Sequence, residues 1–147
     1  MKLQEQQGKY MGEIRTKIKL TNTADAAAAA AGRLDADAVR TIEADALVDT
    51  GAVRSCVPQS LLARLGVQPA ETITVEFADG RKQTAGRAEG IRFQIMDRAT
   101  SDDALELGDE VLVGQTLLEK MDLLVDCARQ RLIPNPAHPD GAVSKLK

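Results

Sequence analysis

From residue 14 the chain alternates. Ile14, Thr16, Ile18 and Leu20 fall on one side and Arg15, Lys17 and Lys19 on the other, the period-two pattern of a half-buried strand. Alternation returns over residues 39–48, where Ile42, Ala44, Ala46 and Val48 share one face and Thr41, Glu43 and Asp45 the other. Leu47 interrupts the polar side, so this strand is expected to be buried on both faces as it reaches Asp49. Between the two lies a Thr-Asn-Thr-Ala-Asp segment, an unbroken alanine run from Ala26 to Ala31, and Gly32. Alanine's propensity, with Thr23 or Asp25 as a cap, predicts a short helix; the lack of a large apolar face suits a mobile loop equally well.

Further along, residues 58–65 predict a short helix, with Pro58 at its first position, Leu61, Leu62 and Leu65 on one face and Gly66 just past its end. Residues 72–77 predict a strand and 81–88 its partner, joined through Asp79-Gly80, a strong hairpin signal. Ile91, Phe93 and Ile95 mark a further strand. The acidic stretch 97–103 lacks the regular ligand spacing of a calcium loop and is expected to be a solvated loop. Val111-Leu112-Val113 is an apolar run ending at Gly114. Residues 115–121 predict a helix with Leu117, Leu118 and Met121 inward, and 123–125 and 131–133 predict two strands around a turn. Many short strands and two or three short helices make the fold class mainly β. No internal repeat is visible. A length of 147 residues fits one domain, expected over 11–136. Residues 1–10 are expected to be a leader that adds nothing to the fold. Pro134, Pro136 and Pro139 place a tail at 137–147.

Composition removes several functions. A net charge of −3 and only three aromatic residues (Tyr10, Phe77, Phe93) supply neither a basic face for a phosphate backbone nor a platform for stacked bases, so no nucleic-acid partner is expected. Cys56 and Cys127 are too few for a disulfide framework and are read as buried apolar fillers. No residue cluster offers tetrahedral metal ligands. His138, the sole histidine, is read as a solvated tail residue, which leaves a Ser-His-Asp or Cys-His mechanism nowhere to start. The N-terminus has no signal-like apolar core and the alanine run is too short to span a bilayer, so a cytoplasmic protein without membrane contact is expected.

The candidate chemistry is Asp49-Thr50-Gly51. Alone the triplet is weak, since Asp followed by Ser or Thr and then Gly arises by chance in about one in fifteen chains of this length, and Asp and Gly are ordinary turn formers. Its setting is more informative. It follows the apolar strand end Ala46-Leu47-Val48 and precedes Ala52, so a carboxylate is placed at the edge of a buried sheet, where charge is costly unless shared.

In these residues the chain resembles the retropepsin-like aspartic proteases, in particular their small stand-alone bacterial members. Ala46 to Ala52 is similar to the family's first signature. Phe77-Ala78-Asp79-Gly80-Arg81 looks like the flap hairpin over the substrate, and Val111 to Gly114, followed by Leu117-Leu118-Glu119, like the second signature. Leu124-Val125-Asp126 and Arg129 to Leu132 resemble the closing strand pair. One departure bears on the adjacent pocket: the family commonly has Ser or Thr shortly after the Gly-Ala pair, where Val53-Arg54 stands here.

The resemblance implies a single-lobe acid-protease barrel active as a two-fold dimer, with Asp49 as the catalytic carboxylate. It implies that Thr50 braces the pair across the dimer axis, that Gly51 lets backbone approach the substrate, and that Gly114 gives the crossing chain room. Ala78, Asp79 and Gly80 would form the flap, and the substrate would be a polypeptide bound in extended form. Because the chain has one triplet, the second carboxylate must come from another copy, the two would share one proton, and the pH profile would be bell-shaped on the acid side of neutral. Neither metal nor organic cofactor is required. Two other readings compete: a catalytically idle dimer of the same fold that binds peptide or protein segments, and phosphoryl transfer on Asp49. The latter wants further carboxylates for magnesium, and no second acidic motif is placed for it.

Overall fold

The structure is a computed structural model and describes residues 12–146; the expected leader lies outside the described residues. Strand β1 (Ile14–Asn22) pairs antiparallel with β2 (Thr41–Val48), setting Leu20 opposite Ile42 and Ile14 opposite Val48. The segment between them forms helix α1 (Thr23–Ala30) and a 3₁₀ turn (Ala36–Ala38). Of the two open readings of the alanine run, helix is correct. Its cap, however, is Asn22 rather than Thr23 or Asp25. The buried Asn22 side chain accepts the Asp25 N–H at 3.0 Å through Oδ1 and donates to the Leu65 carbonyl at 2.9 Å through Nδ2. Asp25 instead receives the Arg40 guanidinium at 2.7 Å, which holds its carboxyl down at about 2. No α1 residue is buried, so the cap and this ion pair hold the helix in place of an apolar face.

Strand β3 (Cys56–Val57) leads into helix α2 (Gln59–Leu65), for which Pro58 is the cap and Gly66, at φ 74°, the left-handed terminator. Strands β4 (Pro69–Glu76) and β5 (Lys82–Ile95) form a long hairpin. The runs 81–88 and 91–95 are one continuous strand, bent by an irregularity between Ala88 and Ile91, where Gly90 takes φ 80°. Strand β6 (Arg98–Glu106) follows through a two-residue turn. This overturns the expected loop at 97–103. Asp97 stays in the turn, but Asp102 and Asp103 lie on the strand and are neutralised from afar, Asp102 by Lys120 at 3.1 Å and Asp103 by Arg87 at 3.0 Å. Strand β7 (Val111–Val113), helix α3 (Gln115–Met121) and the hairpin β8 (Leu123–Asp126) and β9 (Arg131–Pro134) complete the chain.

The main sheet runs β1-β2-β7-β3-β6-β5-β4, and a further β1–β5 pairing closes six of these strands into a barrel. β4 and β1 share one edge of β5. β4 pairs its first half and β1 its second, with the irregularity at the changeover. Phe93, Leu20, Ile91, Ile95, Val111 and Val113 fill the interior, with Leu62, Leu65, Leu117 and Met121 brought in by α2 and α3. Each such side chain contributes about 1.5–3 kcal/mol on leaving water.

Three single-residue expectations are corrected. Cys127 is exposed on the β8–β9 turn, and Cys56 is only half-buried. His138 is not a free tail residue: its Nδ1 meets Asp122 Oδ2 at 2.5 Å. Asp122, in the left-handed position that ends α3, also accepts Asn135 Nδ2 at 3.0 Å and the Val143 N–H at 3.1 Å. These donors, Asn135 foremost, hold its carboxyl down at about 2. Arg98, 2% exposed, donates to the carbonyls of Met121, Asp122 and His138, so residues 135–143 are laced back onto the end of α3.

Candidate active site

The parallel pairing of β2 with β7 positions Asp49. Ala46 lies beside Val111 and Val48 beside Val113, and the ladder is carried one step further by the Asp49 N–H donating to the Val113 carbonyl at 2.9 Å. The chain then turns on itself: the Gly51 N–H donates to Asp49 Oδ1 at 2.9 Å and the Ala52 N–H to the Asp49 carbonyl at 3.2 Å. These bonds orient the carboxylate at the strand end. Asp49 is half-buried, whereas Thr50 and Gly51 are exposed.

The next three residues cross directly over the start of α3. The carbonyls of Ala52 and Val53 accept the N–H groups of Gln115 at 2.8 Å and Thr116 at 3.1 Å, so the crossing loop satisfies donors that the first turn of a helix leaves unpaired. Gly114 is required by this crossing. A Cβ there would lie 2.6 Å from the backbone C and O of Arg54 and 3.0 Å from the Ala52 oxygen. Its N–H donates to Ser55 Oγ at 3.0 Å, and Ser55 is 2% exposed. Ser55 was not among the expected site residues. It supplies a buried hydroxyl immediately after Val53-Arg54. A lone serine between Arg54 and the apolar pair Cys56-Val57 was the available signal.

The hairpin β4–β5 stands over this loop. At its tip the Phe77 N–H donates to the Arg81 carbonyl at 2.8 Å and the Gly80 N–H to the Phe77 carbonyl at 2.9 Å, giving a three-residue loop with Gly80 at φ 85°. Asp79 accepts the Arg81 N–H at 2.9 Å, and the Arg81 guanidinium lies 4.6 Å from the Phe77 ring centre. Between hairpin and loop lies a cavity of about 580 Å³. Ile73, Val75 and Phe77 line it from above, Leu105, Leu107 and Leu112 from the barrel, and Asp49 opens into it. Ala78 lines the cavity; Asp79 and Gly80 are exposed beyond it. The structure thus brings Asp49, Gly51, Ala52 and Ala78 to one cleft and sets Gly114 behind it.

Cys56 also faces the cleft. Burial, and secondarily the Asp49 carboxylate, push its thiol pKa up, which keeps it protonated and a poor nucleophile. Among the described residues no group of three His, Cys, Asp or Glu side chains is placed to hold a metal ion, and no helix is long and apolar enough to cross a membrane.

No protein-family model matches the chain, and no curated protein matches it significantly. Solved structures do. The retroviral protease-like domain of Ddi1 from Leishmania major superposes with a TM-score of 0.52 at 15% identity, over 84% of this chain and 90% of that one. A retropepsin-like aspartic protease from Rickettsia conorii gives a TM-score of 0.44 at 16% identity, over 78% and 85%. The simian foamy virus protease gives 0.41 at 21% identity, over 52% and 80%. The likeness to the Leishmania domain spans most of both chains. This chain therefore has the single-lobe, retropepsin-like fold of the aspartic proteases.

Proposed function

We propose that the protein is an aspartic endopeptidase working as a homodimer, with Asp49 of each copy supplying one of the two catalytic carboxylates. The observation that carries this reading is the placement of Asp49: a half-buried carboxylate, fixed by its own turn, at the floor of an apolar cleft roofed by a hairpin. One chain holds one such triplet, and the exposed Thr50 and the 71% exposed Val53 beside it suit a second copy packing there.

In the dimer the two carboxylates share one proton, as aspartic proteases are known to do. The ionised one takes a proton from water as that water attacks the scissile carbonyl. The protonated one hydrogen-bonds the carbonyl oxygen, and the leaving nitrogen is protonated as the C–N bond breaks. Ile73, Val75 and Phe77 exclude water and hold the substrate as an extended segment between hairpin and floor. Thr50 braces the pair, Gly51 and Ala52 keep the loop low enough for substrate to approach, and the loop residues Ala78, Asp79 and Gly80 close over it. No cofactor takes part, and the setting is cytoplasmic.

The test is cleavage of a mixed peptide library from pH 4 to 7 by the wild-type protein beside Asp49→Asn. Cleavage with a bell-shaped profile that vanishes in the variant is expected. Equal cleavage by both proteins would place the chemistry elsewhere. A folded, dimeric protein that cuts nothing would favour a peptide-binding dimer.

A further inference from the structure

Among the described residues Arg54 is the one cation lining the cleft, where the ionisable carboxylates are Asp49 and Glu76, and Glu76 has Lys82 4.0 Å away. The Arg54 side chain is 46% exposed. Its single side-chain hydrogen bond among the described residues runs from Nη1 to Asp103 Oδ2 at 3.3 Å, a long contact. That oxygen is shared, and the closer donor is Arg87, at 3.0 Å. Arg87 is itself saturated, with Glu71 at 2.7 Å and Glu89 at 3.0 Å as its other partners. The neighbouring Asp102 is held by Lys120 at 3.1 Å. The carboxylates on this side thus have other cations, while Arg54 lies between the cleft and the adjoining hollow that holds Asp103, with guanidinium donors beyond the one Nη1 contact left for a ligand.

From this arrangement we propose that Arg54 reads an acidic side chain of the substrate at a position flanking the scissile bond. A planar guanidinium presents paired donors matched to a carboxylate. Asp103 is the positioning residue that tethers the arm beside the cleft without satisfying it. The preferred substrates are then apolar at the scissile bond, where the cavity walls are apolar, and carry Asp or Glu beside it. The inference rests on the endopeptidase reading for its consequence in turnover, but peptide binding tests it separately.

The experiment compares peptides that differ only by Glu or Gln at each position around a cleaved bond. At one position the wild type is expected to favour Glu by about tenfold in kcat/KM, the size of one charge-assisted contact at a partly exposed site. The ratio should fall below about twofold in Arg54→Gln, recover in part in Arg54→Lys, and shrink as salt is raised. A ratio near one at every position, or a preference unchanged in Arg54→Gln, would overturn the inference. Should the wild type cut no peptide, the endopeptidase reading fails. The inference is then decided by binding of the same labelled peptides to Asp49→Asn and to Asp49→Asn with Arg54→Gln. Glu-over-Gln binding that is lost in the double variant sustains it, and equal binding rejects it.

Discussion

Replacing Gly114 by Ala tests how the site is held together. The backbone there, at φ −92° and ψ 174°, is open to any L residue, so an added methyl costs nothing in conformation. The cost is steric. The new Cβ would stand 2.6 Å from the Arg54 carbonyl carbon and oxygen, about 0.8 Å short of ordinary contact at 3.4 Å. Those neighbours are backbone and cannot rotate away. To make room the crossing loop must lift, and its Ala52 and Val53 carbonyls must draw back from Gln115 and Thr116. Overpacking of this kind costs about 1–3 kcal/mol, and weakening two hydrogen bonds adds about 1 kcal/mol. A loss of about 3 kcal/mol is expected, or roughly 6–12 °C in Tm for a domain of this size. Urea and thermal unfolding followed by circular dichroism measure it, with Gly141→Ala, which meets nothing within 4 Å, as the control. A Gly114→Ala protein within about 0.5 kcal/mol of wild type would refute the claim that the loop is pinned there.

Two further outcomes follow from the same structure. Ser55→Ala should cost about 1–3 kcal/mol in urea unfolding, because the buried Gly114 N–H loses its acceptor; no measurable change would mean that another acceptor takes over. Asp25 and Asp122 are both held down to about 2, so their stabilisation is complete above the ordinary carboxyl value near 3.8 and is lost as pH falls through 2. The urea midpoint should therefore hold from pH 6 to 4 and drop toward pH 2, and drop less in Asp122→Asn. An equal drop in that variant would remove Asp122 from the account.

The barrel was legible wherever burial is written locally. Ile18 and Leu20, Ile42 and Ala46, and Ile91, Phe93 and Ile95 sit on the buried side, as their alternation indicates. Asp49 was legible because an apolar strand end and a turn triplet adjoin in sequence. What was not legible depends on partners far along the chain. The strand Arg98–Glu106 reads as a polar loop because Arg87, Arg54 and Lys120 neutralise its carboxylates from 16, 49 and 18 positions away. Ser55 reaches Gly114 across 59 positions, and Asn22 reaches Leu65 across 43, so neither role has a local pattern. His138 looked solvated because its partner, Asp122, is exposed as a ligand only once α3 ends in a left-handed turn.

The central claim is that one active site takes Asp49 from two copies, and subunit mixing tests it most directly. Wild-type protein at fixed concentration is equilibrated with an equal amount of Asp49→Asn, and peptide cleavage is followed. With random exchange only a quarter of the dimers keep both carboxylates, so activity should fall to about half that of wild type alone. Activity that stays unchanged while mixed dimers are shown to form would contradict the account, since each chain would then carry a complete site of its own.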